Sequence, residues 1–408
     1  MSREMPGVAI TGVGAITALG LSAEEFTRAL DEGRTAISPA PWADPAEPTS
    51  WTSSITGFDP RDWMDDRLAD GTDLFAQYAL AAAGQAVADH GEPLDPATGV
   101  VIGTTMAGVT SLTQAQRKLD LVGPEAVPRK LNIQAWPNMA AGQIAIRYSL
   151  HGPLLTVSTA CASSIDAVGT AMGMIQTGRA DVVIAGGTER GLCEVLHHSQ
   201  ASYGMTNKVT DPALASMPFD RRRTGLVEGE GAAVFVLESL EHAQARGARI
   251  HGVLAGYGSL SDGSHPSSPD PSGIYEAQAM RDAQRTAGLD PADVTGLVAH
   301  ATSTPKGDTV EIEAINQVFG DRGGSLHVTS IKGNVGHTGA ASGGMSLLLA
   351  LHAIGTGRLA HIATTHEVEA GARFHVVTDK PAVGDFRAVQ VNAFGFGGQD
   401  SSLIVRRA

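Results

Sequence analysis

The chain has 408 residues, of which 42% are hydrophobic and 18% are charged, and its formal net charge is −14. This composition is typical of a globular protein, and the length allows two or three domains or one large α/β unit. The acidic balance argues against nucleic acid or an anionic membrane surface as the main partner. The two cysteines, Cys161 and Cys193, provide no disulfide framework, so we expect a reducing cytoplasm.

The start of the chain predicts neither a targeting segment nor a nucleotide site. The apolar run at residues 8–10 is too short for a signal peptide, because Gly12 and Gly14 interrupt it. No later stretch approaches the ~20 apolar residues of a membrane helix. Thr17 stands where a dinucleotide-binding motif requires its third glycine. A nucleotide-dependent oxidoreductase is therefore disfavoured.

Strands and helices alternate along the chain. Residues 74–89 and the segment from Cys161 to residue 178 have helical apolar spacing, whereas segments 39–62 and 258–273 are predicted loops rich in Pro, Ser or Gly. Predicted strands are short apolar runs, at residues 8–13, 99–103, directly before Cys161, 181–187, 232–237, 296–300, 326–330 and 388–393. The alternation predicts an α/β fold with largely parallel sheets, whose chemistry gathers at the carboxyl ends of the strands.

Cys161 follows a short apolar strand and precedes a helical pattern. The apolar residues of that helix recur at Ile165, Val168, Met172 and Ile175. The pattern indicates a strand, a sharp turn and a helix, with the thiol at the start of the helix. Free N–H groups and the helix dipole favour a thiolate there, as on the nucleophile elbow of α/β-hydrolases. The alternative is that Cys161 is a small buried hydrophobic residue.

Three other strand ends carry polar or glycine-rich turns. His300 ends one strand, and a Lys-containing glycine turn that ends in His337 follows another. A glycine loop at residues 394–398 can direct backbone N–H groups at a developing oxyanion. One cysteine with two loop histidines predicts a nucleophile with acid–base or donor groups. No ligand pair has the tight spacing of a zinc site, so no metal is expected.

Five motifs occur in the order and spacing of the β-ketoacyl-acyl carrier protein synthases. They are TACASS at 159–164, FDRRRTGLVEGEG at 219–231, HATSTP at 300–305, KGNVGH at 332–337 and NAFGFGG at 392–398. The resemblance covers nearly the whole chain. It is greatest to the elongating ketosynthase II type and to the ketosynthases of type II polyketide systems.

This resemblance implies a thiolase fold of two βαβαβαββ halves in five αβαβα layers. The halves are placed at residues 1–252, with the nucleophilic cysteine, and 253–408, with both histidines. It also implies a dimer, either of identical chains or with a chain-length-factor-like subunit. Acyl carrier protein is the implied partner. Its phosphopantetheine arm carries the substrates, and no cofactor is tightly bound.

The resemblance also implies a catalytic set. Cys161 would take the acyl chain as a thioester, while His300 and His337 would promote malonyl decarboxylation and stabilise the enolate. The backbone N–H groups of Cys161 and Phe396 would form the oxyanion hole, with the Phe396 ring as a gate. Lys332 would support the electrostatics of the site.

The remaining implied site residues bind substrate or support the catalytic groups. Thr302 and Thr304 would hydrogen-bond the phosphopantetheine arm, and Phe394 and Met106 would contact substrate, with Met106 at the bottom of the acyl pocket. Support would come from two acidic residues, Asp308 and Glu311. From their spacing alone, these two acidic residues could equally form a helix-capping box.

Some residues depart from the family pattern. Ala301 replaces a glycine, and Gln399-Asp400 replaces Thr-Asn. An acidic stretch at residues 65–70 replaces a basic carrier-docking run, which leaves Arg67, Arg129, Lys130 and Arg221 to Arg223 as docking candidates. The segment at 129–142 is also shorter than in fatty-acid members. These departures favour polyketide or polyene synthesis over fatty-acid elongation.

Two alternatives remain. A catalytically silent partner subunit would lack the nucleophile, whereas this chain has Cys161, His300 and His337. A thiolase that uses coenzyme A would have a second cysteine near the C-terminal glycine loop, and this chain has none there.

Overall fold

The computed structural model describes residues 7–44, 50–207, 209–320 and 323–408. Its strands are β1 Val8–Thr17, β2 Ser38–Pro39, β3 Trp51–Ser53, β4 Gly99–Gly103, β5 Leu154–Val157, β6 Val182–Glu189, β7 Glu228–Gly229, β8 Gly231–Ser239, β9 Gly252–Ser261, β10 Gly296–Val298, β11 Gly323–Thr329, β12 Arg358–Leu359, β13 Phe374–Val376, β14 Ala382–Val383, β15 Ala388–Gly395 and β16 Gln399–Arg406.

The α-helices are α1 Ala23–Asp31, α2 Asp66–Ala69, α3 Leu74–His90, α4 Val109–Leu121, α5 Leu131–Ala135, α6 Met139–Tyr148, α7 Ser163–Gln176, α8 Glu194–Ser202, α9 Leu240–Ala245, α10 Ile274–Ala287, α11 Pro305–Phe319, α12 Lys332–Val335 and α13 Ser342–Thr356. Short 3-10 turns occur at Pro60–Asp62, Pro124–Ala126, Ala160–Ala162, Pro212–Leu214, Pro291–Asp293 and Gly339–Ala341. Local sequence sets several helix ends. In α3, the Asp73 side chain accepts the N–H of Phe75, and Gly91 ends the helix with φ of 81°.

Eleven strands form one mixed sheet in the order β13-β11-β10-β15-β16-β9-β1-β8-β6-β4-β5. The two flanks of this sheet repeat one pattern. In the first flank, β5, β4 and β6 are parallel neighbours, and β8 and β1 follow antiparallel. In the second, β13, β11, β10 and β15 are parallel neighbours, and β16 and β9 follow antiparallel. The repeat agrees with a duplicated α/β unit. The division near residue 252 stays a prediction.

The flanks enclose a central layer of helices. Helices α7 and α13 pack against each other and contribute to one buried cluster with strands of both flanks. Helices α3 and α6 cover the outer face of the first flank, and α10 and α11 cover that of the second. This arrangement of helix, strand, helix, strand and helix layers confirms the predicted α/β thiolase fold.

One helical segment passes a length and composition test for a membrane span. It is Gly339–Thr356, with a mean hydropathy of 1.2, and 78% of it is buried inside the protein. Burial to this extent is typical of a helix in a protein core. The apolar side chains of α13 accordingly pack between the two strand flanks.

The structure corrects both predicted loops. Within segment 39–62 lie strand β3 and the turn Pro60–Asp62, while residues 45–49 are outside the described residues. In segment 258–273, the first four residues belong to β9, where they pair with β16. Ser and Gly are compatible with a strand when a neighbouring strand completes the hydrogen bonding, and local composition does not reveal that neighbour.

Candidate active site

Cys161 lies in the turn between strand β5 and helix α7, as predicted. Ala160 has φ of 49°, in the left-handed region that residues with a Cβ atom rarely adopt. The Ser163 hydroxyl stabilises this turn, because it accepts the N–H of Thr159 at 2.9 Å and donates to the carbonyl of Ala160 at 2.6 Å. The turn therefore holds the thiol at the start of α7.

The glycine loop after β15 packs directly against this turn. A Cβ atom on Gly395 would lie 2.6 Å from the carbonyl oxygen of Thr159, so the approach requires glycine. The backbone N–H groups of Cys161 and Phe396 both lower the pKa of the thiol by hydrogen bonding to the sulfur. Donors at this position can also bind the oxygen of a carbonyl attached to the sulfur.

Cys161 and His337 are in direct contact. The distance from Sγ to Nε2 is 2.9 Å, and Nδ1 of the same ring lies 2.9 Å from the hydroxyl oxygen of Ser342. Ser342 also accepts the N–H of Thr338 at 3.0 Å. Both ring nitrogens of His337 therefore have partners, which fix the orientation of the imidazole.

Burial sets the protonation of this pair at neutral pH. Burial, together with the nearby positive charge of Lys332, lowers the pKa of His337 to about 3, so the imidazole is neutral. Burial raises the pKa of the Cys161 thiol to about 11, while Lys332 acts in the opposite direction. The resting pair is therefore a thiol beside a neutral imidazole.

His300 completes the cluster. Its ring centroid lies 5.4 Å from that of His337, with the ring planes at 88°. Burial and the charge of Lys332 hold the pKa of His300 well below its ordinary value. Nδ1 of His300 is buried and has no hydrogen-bond partner among the described residues. Two neutral imidazoles thus face the space next to the Cys161 sulfur.

The backbone around His300 is held by two buried ionisable groups. Lys332, 1% exposed, donates from Nζ to the carbonyl of His300. Glu311 accepts the N–H of His300 at 2.9 Å, the N–H of Ala301 at 2.6 Å and the side-chain amide of Asn392 at 3.1 Å. Burial lowers the pKa of Lys332 to about 8, while the charge of Glu311 raises it.

Asp308 and Glu311 do not form a capping box. Thr304 is the residue that precedes α11, and both acidic residues lie inside the helix and are buried. Asp308 accepts the N–H of Phe219 at 2.8 Å and lies 3.8 Å from Nε of Arg223. Asp308 is therefore not among the residues that line the cavity at Cys161, and burial raises its pKa to about 7.

A cavity of about 540 Å³ opens onto the cysteine. This size is within the range of small-molecule sites. Among its lining residues are the predicted Cys161, His300, His337, Thr302, Thr304, Met106, Phe394, Phe396 and Glu311. The hydroxyls of Thr302 and Thr304 lie 3.0 Å apart. Met106 is 39% exposed and Phe396 is 46% exposed, so both side chains are accessible to a substrate that enters the cavity.

Cys161, His300 and His337 are the one group among the described residues that could hold a metal ion by distance, since their ligand atoms lie within 4.8 Å of one another. The contact of 2.9 Å between sulfur and Nε2 is a hydrogen bond. Two ligands of one tetrahedral zinc ion would stand ~3.5 Å apart. The geometry therefore fits proton exchange between the two groups better than metal binding.

Residues outside the five motifs also contribute to the site. Glu189, which ends β6, is buried and accepts the N–H groups of Thr105, Met106 and Ala340. Burial raises its pKa to about 7. Its position after an apolar strand was a usable sequence signal. The adjacent His197 and His198 on a helix flank predict solvated side chains, and this prediction is wrong for His197, because it is 4% exposed.

The three adjacent arginines are engaged in local contacts. Arg222 lies 2.9 Å from Asp220, and Arg221 pairs with Glu367. Arg223 is 7% exposed and donates to Glu369, Thr309 and three backbone carbonyls. Arg223 is therefore wrong as a candidate for carrier docking.

We expect Glu311→Ala to destabilise the protein and to reduce activity. The change leaves the N–H groups of His300 and Ala301 and the amide of Asn392 without their shared acceptor. Buried donors without partners each cost about 1–3 kcal/mol, so the free energy of unfolding should fall by about 3 kcal/mol or more. Denaturant unfolding measures the change.

The matched control is Glu313→Ala on the exposed side of the same helix, which should change stability by less than about 0.5 kcal/mol. Equal stability of the two variants would contradict a supporting role for Glu311.

Comparison with known families gives two adjoining matches. Residues 5–243 match the Beta-ketoacyl synthase, N-terminal domain, and residues 251–366 match the Beta-ketoacyl synthase, C-terminal domain. Together these matches cover most of the chain.

Curated relatives span the full length. The 3-oxoacyl-[acyl-carrier-protein] synthase 2 of Coxiella burnetii (strain RSA 493 / Nine Mile phase I) is 32% identical over 406 residues, which cover 98% of each chain. The protein of that name from Staphylococcus aureus (strain COL) is 34% identical over 411 residues, again with 98% coverage of each chain.

Solved structures agree. The ishigamide ketosynthase/chain length factor superposes with a TM-score of 0.90 at 30% identity, covering 99% of this chain and 100% of that one. A Beta-ketoacyl synthase from Burkholderia phymatum STM815 gives a TM-score of 0.89 at 31% identity, with the same coverage.

Proposed function

The chain belongs to the β-ketoacyl synthase family, and on that premise we propose how its residues carry out the condensation. The enzyme is an acyltransferase that joins an acyl chain to a malonyl unit, both delivered by acyl carrier protein, with loss of carbon dioxide. The direct contact between Cys161 and His337, inside a cavity that also contains His300, carries the proposal.

In the first step, Cys161 attacks the thioester carbonyl of acyl carrier protein. A carbon–sulfur bond forms to Cys161, and the bond to the phosphopantetheine sulfur breaks. His337 takes the thiol proton through Nε2 and returns it to the leaving thiol. The N–H groups of Cys161 and Phe396 hydrogen-bond the oxyanion of the tetrahedral intermediate. Thr302 and Thr304 hold the phosphopantetheine arm.

In the second step, malonyl carrier protein loses carbon dioxide. The bond between its α-carbon and carboxylate breaks, and the electron pair forms an enolate. N–H groups of His300 and His337 hydrogen-bond the enolate oxygen. In this step the proton of His337 is on Nε2, and Nδ1 accepts the Ser342 hydroxyl. Because both imidazoles are neutral, each can donate through only one nitrogen at a time. The buried Lys332 charge adds a favourable potential for the anion.

In the third step, the enolate carbon attacks the Cys161 thioester. A carbon–carbon bond forms and the bond to the Cys161 sulfur breaks. The resulting thiolate, which carries the charge of the former malonyl carboxylate, takes up a proton from water. The product is a β-ketoacyl carrier protein that is two carbons longer. Phe396, which is exposed at the rim of the cavity, gates it between loading and extension, and Met106, which also lines the cavity, limits the acyl pocket.

We propose polyketide or polyene synthesis as the pathway. Three observations favour it: Ala301 in place of a glycine, Gln399-Asp400 in place of Thr-Asn at the glycine loop, and the 30% identity to the ishigamide ketosynthase/chain length factor. Fatty-acid elongation is the second candidate, because the curated relatives are named 3-oxoacyl-[acyl-carrier-protein] synthase 2. The presence of Cys161 with its His337 contact argues against a silent partner subunit.

We further propose that the enzyme works as a dimer. Strand β5 is at one end of the sheet, and Leu154 and Leu155 on it are 44% and 41% exposed. An open edge strand with exposed apolar residues can extend the sheet into a second subunit. That subunit is either an identical chain or a chain-length-factor-like partner.

The test is condensation with defined carrier proteins. Acyl and malonyl carrier proteins are mixed with the purified enzyme, alone and with a candidate partner subunit, and intact mass follows both the enzyme and the carrier. We expect an acyl adduct on the enzyme and a β-ketoacyl carrier product. Saturated and polyene acyl chains in parallel distinguish the two pathways. If no chain gives either species, with or without a partner subunit, the function is wrong.

A further inference from the structure

A buried acidic residue lies in the wall of the substrate cavity. Glu228 on β7 is 6% exposed and lines the cavity. Its Oε2 lies 2.6 Å from Nδ1 of His197, which is 4% exposed, and Nε2 of the same ring lies 3.1 Å from the hydroxyl oxygen of Ser50. The imidazole has a partner at each nitrogen, so it holds the Glu228 carboxylate in one orientation.

Glu228 lies next to the catalytic residues. Its backbone forms a parallel bridge with His337, and the N–H of Gly229 donates to the carbonyl of His337 at 2.9 Å. Paired backbones of neighbouring strands are about 5 Å apart. The backbone of Glu228 is therefore one strand spacing from that of His337, the residue whose ring contacts the Cys161 sulfur.

The surrounding wall is otherwise mainly apolar. Leu192, Leu196, Met205 and Leu226 line the same cavity, and Gln200 on α8 is one of several polar side chains that line it too. An apolar wall suits an alkyl or polyene chain. A carboxylate in such a wall loses hydration when an alkyl chain fills the cavity, and it receives no hydrogen bond in return. Neither the catalytic steps nor the hydrogen bonding around His300 uses Glu228.

We infer that Glu228, oriented by His197, recognises a hydrogen-bond donor on the acyl chain, such as a hydroxyl, and so selects hydroxylated acyl chains over saturated chains of equal length. The carboxylate accepts this donor through Oε1, because Oε2 is already hydrogen-bonded to His197. Hydrogen bonds to a charged acceptor in a site shielded from water are strong enough to discriminate about 10- to 100-fold. This inference rests on the proposed function, because the acyl chain must enter the Cys161 cavity.

The test compares loading of Cys161 by pantetheine thioesters. One thioester carries a saturated chain, and the others carry a single hydroxyl that is moved along the same chain one carbon at a time. The initial rate of adduct formation on the enzyme is followed by intact mass. We expect one hydroxyl position to load about 10- to 100-fold faster than the saturated chain.

Three variants separate recognition from a structural role. Glu228→Leu should remove the preference and speed loading of the saturated chain. Glu228→Gln keeps a polar side chain of the same size, so the variant should fold. It should retain only part of the preference. Glu194→Leu, on the exposed side of α8, should keep the full preference.

The outcomes distinguish this inference from the proposed function. Equal loading of saturated and hydroxylated chains by the wild-type enzyme would overturn the inference while the function stands. An equal drop for every chain in both Glu228 variants would also overturn it, because it indicates support of the fold or of the pantetheine arm. Absence of any adduct with any chain, even with carrier-bound substrates, would count against the function itself.

Discussion

Cys161→Ala is expected to abolish acyl-enzyme formation and to lower the rate of condensation by about 10⁴-fold or more. In the proposed mechanism the sulfur bonds the acyl chain, and none of the other cavity-lining residues is a cysteine. Loss of one sulfur atom from the rim of a cavity leaves the packing of α7 in place, so the variant should fold. Intact mass after incubation with acyl carrier protein, beside a condensation assay, measures both effects.

Cys193→Ala is the matched control. Cys193 is also a free, partly buried cysteine, but it precedes α8 and is not among the residues that line the cavity. The control should form the adduct at the wild-type rate. An adduct that persists in Cys161→Ala and disappears in Cys193→Ala would show that the nucleophile is Cys193 and not Cys161.

The pH dependence of Cys161 follows from its surroundings. Burial raises its pKa to about 11, so the thiolate fraction in the absence of substrate should keep rising through alkaline pH. The rate of alkylation by iodoacetamide reports that fraction. Lys332→Met removes the charge that lowers the pKa of the thiol. Because Lys332 itself has a pKa of about 8, the variant should slow alkylation below that pH. A variant that reacts as fast as the wild type would show that Lys332 has no electrostatic effect on the thiol.

The turn that holds Cys161 could be predicted from the sequence because its signal is local. A strand followed at once by helical apolar spacing places Cys161 in a turn, and the structure has that turn. His300 and His337 each follow a strand of the parallel part of the sheet, and this was also predictable. The carboxyl ends of parallel strands lie at one edge of a sheet. The sequence therefore indicates that these motifs converge, although it gives no distances between them.

The supporting contacts were harder to predict because they join distant parts of the chain. Glu311 binds the N–H groups of residues 300 and 301, and Ser342 fixes the ring of His337. Asp308 and Glu311 have the spacing of a capping box, and only the start of α11 at residue 305 shows that they lie inside the helix. The burial of His197 is not evident from its position on a helix flank, because its partner Glu228 is 31 residues away.

His300→Ala is expected to separate the two halves of the reaction. The Cys161–His337 contact does not involve His300, so loading of the acyl chain should fall by less than about tenfold. Decarboxylation needs donors to the enolate, and removal of one such donor typically costs about 10²–10³-fold. Release of carbon dioxide from malonyl carrier protein measures this step, and intact mass measures loading.

His337→Ala should impair both halves, because the same ring contacts the Cys161 sulfur and faces the space beside His300. Loading should fall by about 10²-fold or more with the loss of the proton acceptor, and decarboxylation should fall as in His300→Ala. His198→Ala, on the exposed side of α8, is the control and should leave both rates unchanged. If His300→Ala reduces loading as much as His337→Ala does, the two histidines act as one unit on the thiol, and the division of roles between them is wrong.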